Sequence, residues 1–151
     1  MPVIRVPIEA KPLLRLCRKH ELGPSEQPGP QCFETYADLM VFAAAYGFSE
    51  LNGHAPIRKK SEFLERPNPI DLSVFKNDRR YPQLLLIALA TSKDQNVVRD
   101  EELICHLVED YASVGCFRLS KATDQAFAPS AHLLLAQTLA EQPSDAGEIQ
   151  I

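Results

Sequence analysis

The sequence predicts a mainly α protein: a single compact helical domain of about four to five helices with a minor two-stranded β element. Three stretches carry that expectation. "CFETYADLMVFAAAYGF", from Cys32 to Phe48, places Leu39, Met40, Phe42, Ala43 and Tyr46 at helical spacing. "LLLIALA", Leu84 to Ala90, is apolar throughout and follows Pro82. Behind Asp100, the residues Leu103, Ile104, Leu107, Val108, Tyr111 and Val114 form a single apolar stripe.

The elements follow in chain order. Half of the twelve prolines lie in the first 30 residues. "MPVIRVPIEAKP" therefore reads as extended or irregular, since each proline fixes φ and removes a donor. "LLRLCRKHEL", Leu13 to Leu22, predicts a short helix with Leu13, Leu16 and Cys17 on one side. "GPSEQPGPQ" reads as a linker. Thr35 is the expected N-cap of the next helix, with Asp38 in the capping-box position, and Gly47 is its expected stop. Alanines at 44 and 45 leave that helix hardly any polar face, so it is the expected central helix.

Beyond it, Ser49 to Pro69 is polar and irregular, and "IDLSVF", Ile70 to Phe75, alternates like a half-buried strand. "KNDRRYP" is a turn, with Pro82 suited to the first turn of a buried helix over Leu84 to Ala90, a run of seven that a buried strand could also give. Asp100 caps the next helix. Glu101 and Glu102 complement its dipole, Glu109 and Asp110 face water, and Gly115 ends it. "CFRLS" is the expected strand partner of "IDLSVF", and a last helix runs from about Pro129 to Glu141. The expected organisation is a Pro-rich lead with a short helix over 1–30, a compact α-rich domain over 31–141 and a disordered tail over 142–151.

Length and composition bound the function. A chain of 151 residues with 45% hydrophobic and 24% charged residues can build a core without disulfides or metal. The net charge of −4 argues against a generally basic coat for nucleic acid. The charge is uneven: 12 Lys/Arg stand against 10 Asp/Glu in residues 1–80, and 4 against 10 in residues 81–151. The cysteines, Cys17, Cys32, Cys105 and Cys116, form no C-x-x-C pair. No apolar run suits a signal peptide or a membrane span. A cytoplasmic protein with reduced thiols is the expectation.

Four kinds of chemistry are weighed on the residues. Cys17 with His20, and Cys105 beside His106, lack the second ligand pair that zinc needs, so no metal or other cofactor is expected. His106 and Asp110 could be a base and its orienter, but the spacing is more often a surface i, i+4 pair. No G-x-S-x-G, G-x-x-x-x-G-K-[ST] or G-x-G-x-x-G element is present, and no catalytic residue or small-molecule substrate is assigned. Two loop clusters, Arg58, Lys59 and Lys60, then Lys76, Arg79 and Arg80, are the candidate nucleic-acid contacts, with Tyr81 available for stacking. Acids dilute both clusters, and charged loops are usually only solvated.

The order of "FETYADLMVFAAAYGF", "PIDLSVFKN", "LLLIALATSKDQNVVRDEEL" and "EDYASVGCFRLS" resembles a small family found beside DNA phosphorothioation (Dnd) genes. The resemblance covers Cys32 to Ser120 and rests on core positions. Where the family pattern closes its fourth piece with a "YANGG"-like turn, this chain has "YASVG". The resemblance implies bacterial anti-phage defence or a linked DNA-modification locus and carries over no catalytic residue. The expected role is a non-catalytic accessory subunit that binds a larger protein, an ATPase or nuclease, and could help hold DNA through the complex. The alternatives are a DNA-binding or regulatory protein acting through the loop cations, and a small enzyme whose site the sequence does not reveal.

Overall fold

The computed structural model describes residues 2–24, 26, 29–54 and 62–126. It is mainly helical, with one two-stranded antiparallel sheet. Strand β1 (Val3–Ile4) pairs with β2 (Ile70–Asp71), Val3 opposite Asp71 and Ile4 opposite Ile70. A 3-10 helix spans Ile8–Leu16. Four α-helices follow: α1 (Tyr36–Glu50), α2 (Leu72–Asn77), α3 (Tyr81–Ser92) and α4 (Glu101–Ala126). A second, short 3-10 helix, Gln95–Arg99, leads into α4.

The start of α1 follows its sequence. Thr35 Oγ1 accepts from the Asp38 amide, and the Asp38 carboxylate accepts from the Thr35 amide, so the capping box is complete. The helix then continues past Gly47 to Glu50. Gly47 is a contact point rather than a stop: a Cβ there would overlap the Tyr111 carbonyl oxygen of α4. Gly115 plays the reciprocal part, because its Cβ would overlap the Ala43 carbonyl oxygen of α1. Two helices whose backbones touch in this way form the centre of the fold, and α1 packs more extensively on α4 than any other pair of elements.

That contact overturns two expectations. Gly115 does not end α4, and "CFRLS" is not a strand, because Glu101–Ala126 is one continuous helix. Its buried face comprises Ile104, Cys105, Val108, Tyr111, Ala112 and Cys116, whereas Leu103 is exposed. The partner of "IDLSVF" is instead the N-terminal Val3–Ile4, and only Ile70–Asp71 is strand. From Leu72 the chain turns helical, because the Asp71 carboxylate accepts from the Ser73 amide and caps α2.

The Pro-rich lead is part of the core. Ile4, Val6, Ala10, Leu13, Leu14, Leu16 and Cys17 are all buried. The helix there is 3-10 and lies over Ile8–Leu16, upstream of the expected Leu13 to Leu22. Backbone hydrogen bonds from Leu64 N to Val6 O (2.8 Å) and from Ile8 N to Glu62 O (3.1 Å) fasten the lead to the segment before β2. The expected helix over Pro129 to Glu141 and the tail over 142–151 lie outside the described residues. No described helix is long and apolar enough to cross a membrane.

Candidate functional site

The sequence predicts α3 to be buried on all sides, and it is not. Leu84, Ile87 and Ala88 face the core, but Leu86 is 66% exposed. Phe42, on the side of α1 away from α4, is 43% exposed. Between α1 and α3 runs an open groove of about 520 Å³, walled by Cys32, Phe33, Phe42, Ala45 and Gln83. Phe33 and Phe42 pack with ring centroids 5.5 Å apart, and Tyr46 follows Phe42 at 6.4 Å. Leu86 stands one turn beyond Gln83 on the same face of α3. The stretch Tyr81–Ser92 holds no charged residue, and Tyr36–Glu50 holds only Asp38 and Glu50.

One end of the groove carries its charge. Arg80 Nε donates to Asp38 Oδ1 at 2.6 Å, and a second nitrogen of Arg80 reaches Asp78. Burial pushes the Asp38 carboxyl up, but the hydrogen bonds from Arg80 and Thr35 outweigh it and hold the group below the usual carboxylate range. A depressed folded value means that stability is fully present above the unfolded value and is lost as pH falls through the folded one. Asp38→Asn is therefore expected to lower stability at pH 7 by about 1–2 kcal/mol, through loss of the cap and the ion pair. It is also expected to flatten the acid limb of stability between about pH 5 and pH 3. Urea titrations across that range check both.

The structure separates the candidate cations. Lys76 bonds the Glu101 carboxylate at the start of α4, and its ammonium lies 5.0 Å from the Tyr81 ring centre. Arg80 is held by Asp38 and Asp78. Arg79 is exposed at φ 62°, and among the described residues it forms no ion pair. Lys76 and Arg80 thus serve the fold, one tying α2 to α4 and the other tying α3 to α1. Arg58, Lys59 and Lys60 lie outside the described residues.

Two polar clusters are not visible in the sequence. Arg5 and Glu109 form a pair 104 positions apart: the Arg5 amide, Nε and Nη2 donate to the Glu109 carboxylate at 2.7, 2.9 and 2.9 Å. Glu109, expected to face water, is instead 2% exposed. His106, expected to pair with Asp110, places Nδ1 3.3 Å from Glu109 Oε1. In the second cluster, His20 bridges Tyr36 Oη at 2.6 Å and Glu26 Oε2 at 2.9 Å. The carboxylate–imidazole–hydroxyl order is that of an activated nucleophile. Burial raises the Tyr36 phenol above its ordinary value. The cluster fastens the turn after Cys17 to the first turn of α1. Nothing in the spacing of His20, Glu26 and Tyr36 announces it.

None of the four cysteines is in a disulfide. Burial pushes the Cys17, Cys105 and Cys116 thiols up to about 12 and raises Cys32 as well, but Cys32 alone is exposed. A thiol reagent at about pH 8.5 is expected to modify Cys32 quickly and the other three only after unfolding. Counting thiols with and without urea checks this. Among the described residues, no group of three or more His, Cys, Asp or Glu could hold a metal ion.

A small helical fold with an uncharged face beside a carboxylate-rimmed groove belongs among proteins associated with DNA sulphur modification systems, as a match to a family model establishes. More narrowly, the chain belongs to the family described as DNA sulphur modification system-associated protein 4, whose model matches residues 4–150. The match extends beyond Cys32 to Ser120 in both directions and takes in the N-terminal lead. No curated protein and no solved structure matches the chain.

Proposed function

We propose that this chain is a non-catalytic accessory subunit of a DNA sulphur modification system, bound to a larger protein of that system. The observation that carries the reading is the α1–α3 face. It leaves Phe42 and Leu86 exposed and sets no charged residue on α3 between Tyr81 and Ser92. Interface cores are depleted in charge and enriched in aromatic residues; α3 supplies the first property and Phe33, Phe42 and Tyr46 the second. The family's association with a modification system supplies the setting.

The test is co-expression of the full chain with the other proteins of its locus, followed by purification at low and high salt and mass spectrometry. Stoichiometric retention of a larger protein at high salt is the expected result. Recovery of the chain alone as a monodisperse monomer would sink the reading.

DNA contact belongs to the assembly in this reading, through Arg58, Lys59, Lys60 and the exposed Arg79. Lys76 and Arg80 also hold ion pairs within the fold. Reversing the four charges is expected to reduce the salt slope of DNA binding by the complex, by about 0.9 for each phosphate no longer neutralised. An unchanged slope would remove DNA from the role.

A further inference from the structure

Resting on the accessory-subunit reading, we propose that the α1–α3 groove receives an amphipathic helix of the larger partner. Its aliphatic stripe packs on Phe42 and Leu86, and a Lys or Arg at one end faces Glu34. The groove selects that chemistry in three ways. Its apolar walls, Phe33, Val41, Phe42 and Ala45, are of a size that accepts aliphatic anchors at i, i+3 and i+4, and Glu34, Asp38, Arg80 and Gln83 supply its polar lining. The described sheet has two residues per strand, too short a template for an added strand. The open charge in the groove is negative. Arg80 is taken up by Asp38 and Asp78, whereas Glu34 has only Arg18 at 3.5 Å, with both side chains more than half exposed. A cation is complementary to that end, and an acidic segment or a phosphate backbone is repelled by it.

The experiment repeats the co-expression with single variants, each first checked by circular dichroism for an unchanged fold. Phe42→Asp and Leu86→Asp are expected to reduce recovery of the partner about tenfold or more, as removal of a central anchor does. Glu34→Lys is expected to reduce it several-fold, with the deficit shrinking as salt is raised. Val98→Asp makes the same chemical change at an exposed residue outside the groove and is expected to leave recovery unchanged. If the wild type and every variant recover the partner equally, the groove assignment is wrong while the subunit reading stands. If the wild type recovers nothing, the subunit reading fails and the groove assignment falls with it.

A second measurement uses a fluorophore on Cys32, the exposed thiol in the groove wall. A synthetic Leu/Lys helix is expected to shift its emission, and Phe42→Asp is expected to abolish the shift even though it makes the chain more negative. A change in that direction separates docking from general attraction of a cationic peptide. An equal response to a Leu/Glu helix would overturn the charge assignment. A dimer in light scattering that Phe42→Asp dissolves would make a second copy the occupant. A label shielded until Leu134→Asp and Leu139→Asp are introduced would give the groove to the chain's own C-terminal residues. Either of those last results overturns the proposal.

Discussion

Alanine at Gly115 is expected to cost the protein about 3 kcal/mol or more, enough to leave much of it unfolded. The added methyl has nowhere to go. It would overlap the Ala43 carbonyl oxygen, which is backbone inside α1 and cannot swing aside as a side chain can. The amide of Gly115 is itself 3.1 Å from where a Cβ on Gly47 would sit, so the two glycines guard the same crossing. Gly47→Ala is expected to match Gly115→Ala in direction and size, because its Cβ would meet the Tyr111 carbonyl. Gly23→Ala is the control. There the nearest atom is Glu26 Oε1 at 3.1 Å, the end of a flexible side chain, and the expected change is within about 0.5 kcal/mol. Urea unfolding followed by circular dichroism ranks all three. A Gly115→Ala protein as stable as the wild type would mean that the α1–α4 crossing is wider than described.

Arg5→Met is expected to give the second large loss, about 2–3 kcal/mol at pH 7. It leaves the Glu109 carboxylate, 2% exposed, without the two guanidinium donors, with the backbone amide of residue 5 and His106 Nδ1 at 3.3 Å as its remaining partners. The figure is below that for a fully buried pair because the Arg5 side chain is 36% exposed and partly screened. The hydrogen bonds to Glu109 hold the Arg5 guanidinium above its ordinary value, so Arg5 itself stays charged. Adding Glu109→Gln to Arg5→Met is expected to recover part of the loss by removing the stranded charge. No recovery in the double variant would show that Arg5 contributes by packing on Phe63, whose ring centre is 3.8 Å from its guanidinium carbon.

The elements legible in the sequence are those set by neighbours in sequence. Thr35 and Asp38 announce the start of α1 because a capping box closes within four residues. Pro82 marks the first turn of α3, and Asp100 accepts from the Leu103 amide at 3.1 Å to open α4. What failed depends on distant partners. A glycine that ends a helix and a glycine that admits another backbone look alike in one dimension. Gly47 and Gly115 therefore read as stops, and "CFRLS" falls outside the helix it continues. Glu109 reads as solvated because nothing within reach in the sequence neutralises it, and its cation arrives from residue 5. The ion pairs of two candidate cations are hidden in the same way. Lys76 and Arg80 are visible as charges, but the acids that occupy them, Glu101 and Asp38, are 25 and 42 positions away. The apolar groove is hidden for a different reason. An uninterrupted run such as "LLLIALA" suggests burial, and only the packing of neighbours reveals that Leu86 is left outside.

The placement of the first residues also sets a schedule for synthesis. Ile4 and Val6 are core residues, yet Arg5 meets its carboxylate only when Glu109 exists, 104 residues later. At about 5–20 residues per second, the opening segment waits on the order of 5–20 s after its own translation before that site is made. During that interval its apolar side chains have no finished surface to settle on. The last described helix is therefore the one that lets the first residues fold. Nascent chains arrested before Glu109 should remain open to protease at their N-terminal end.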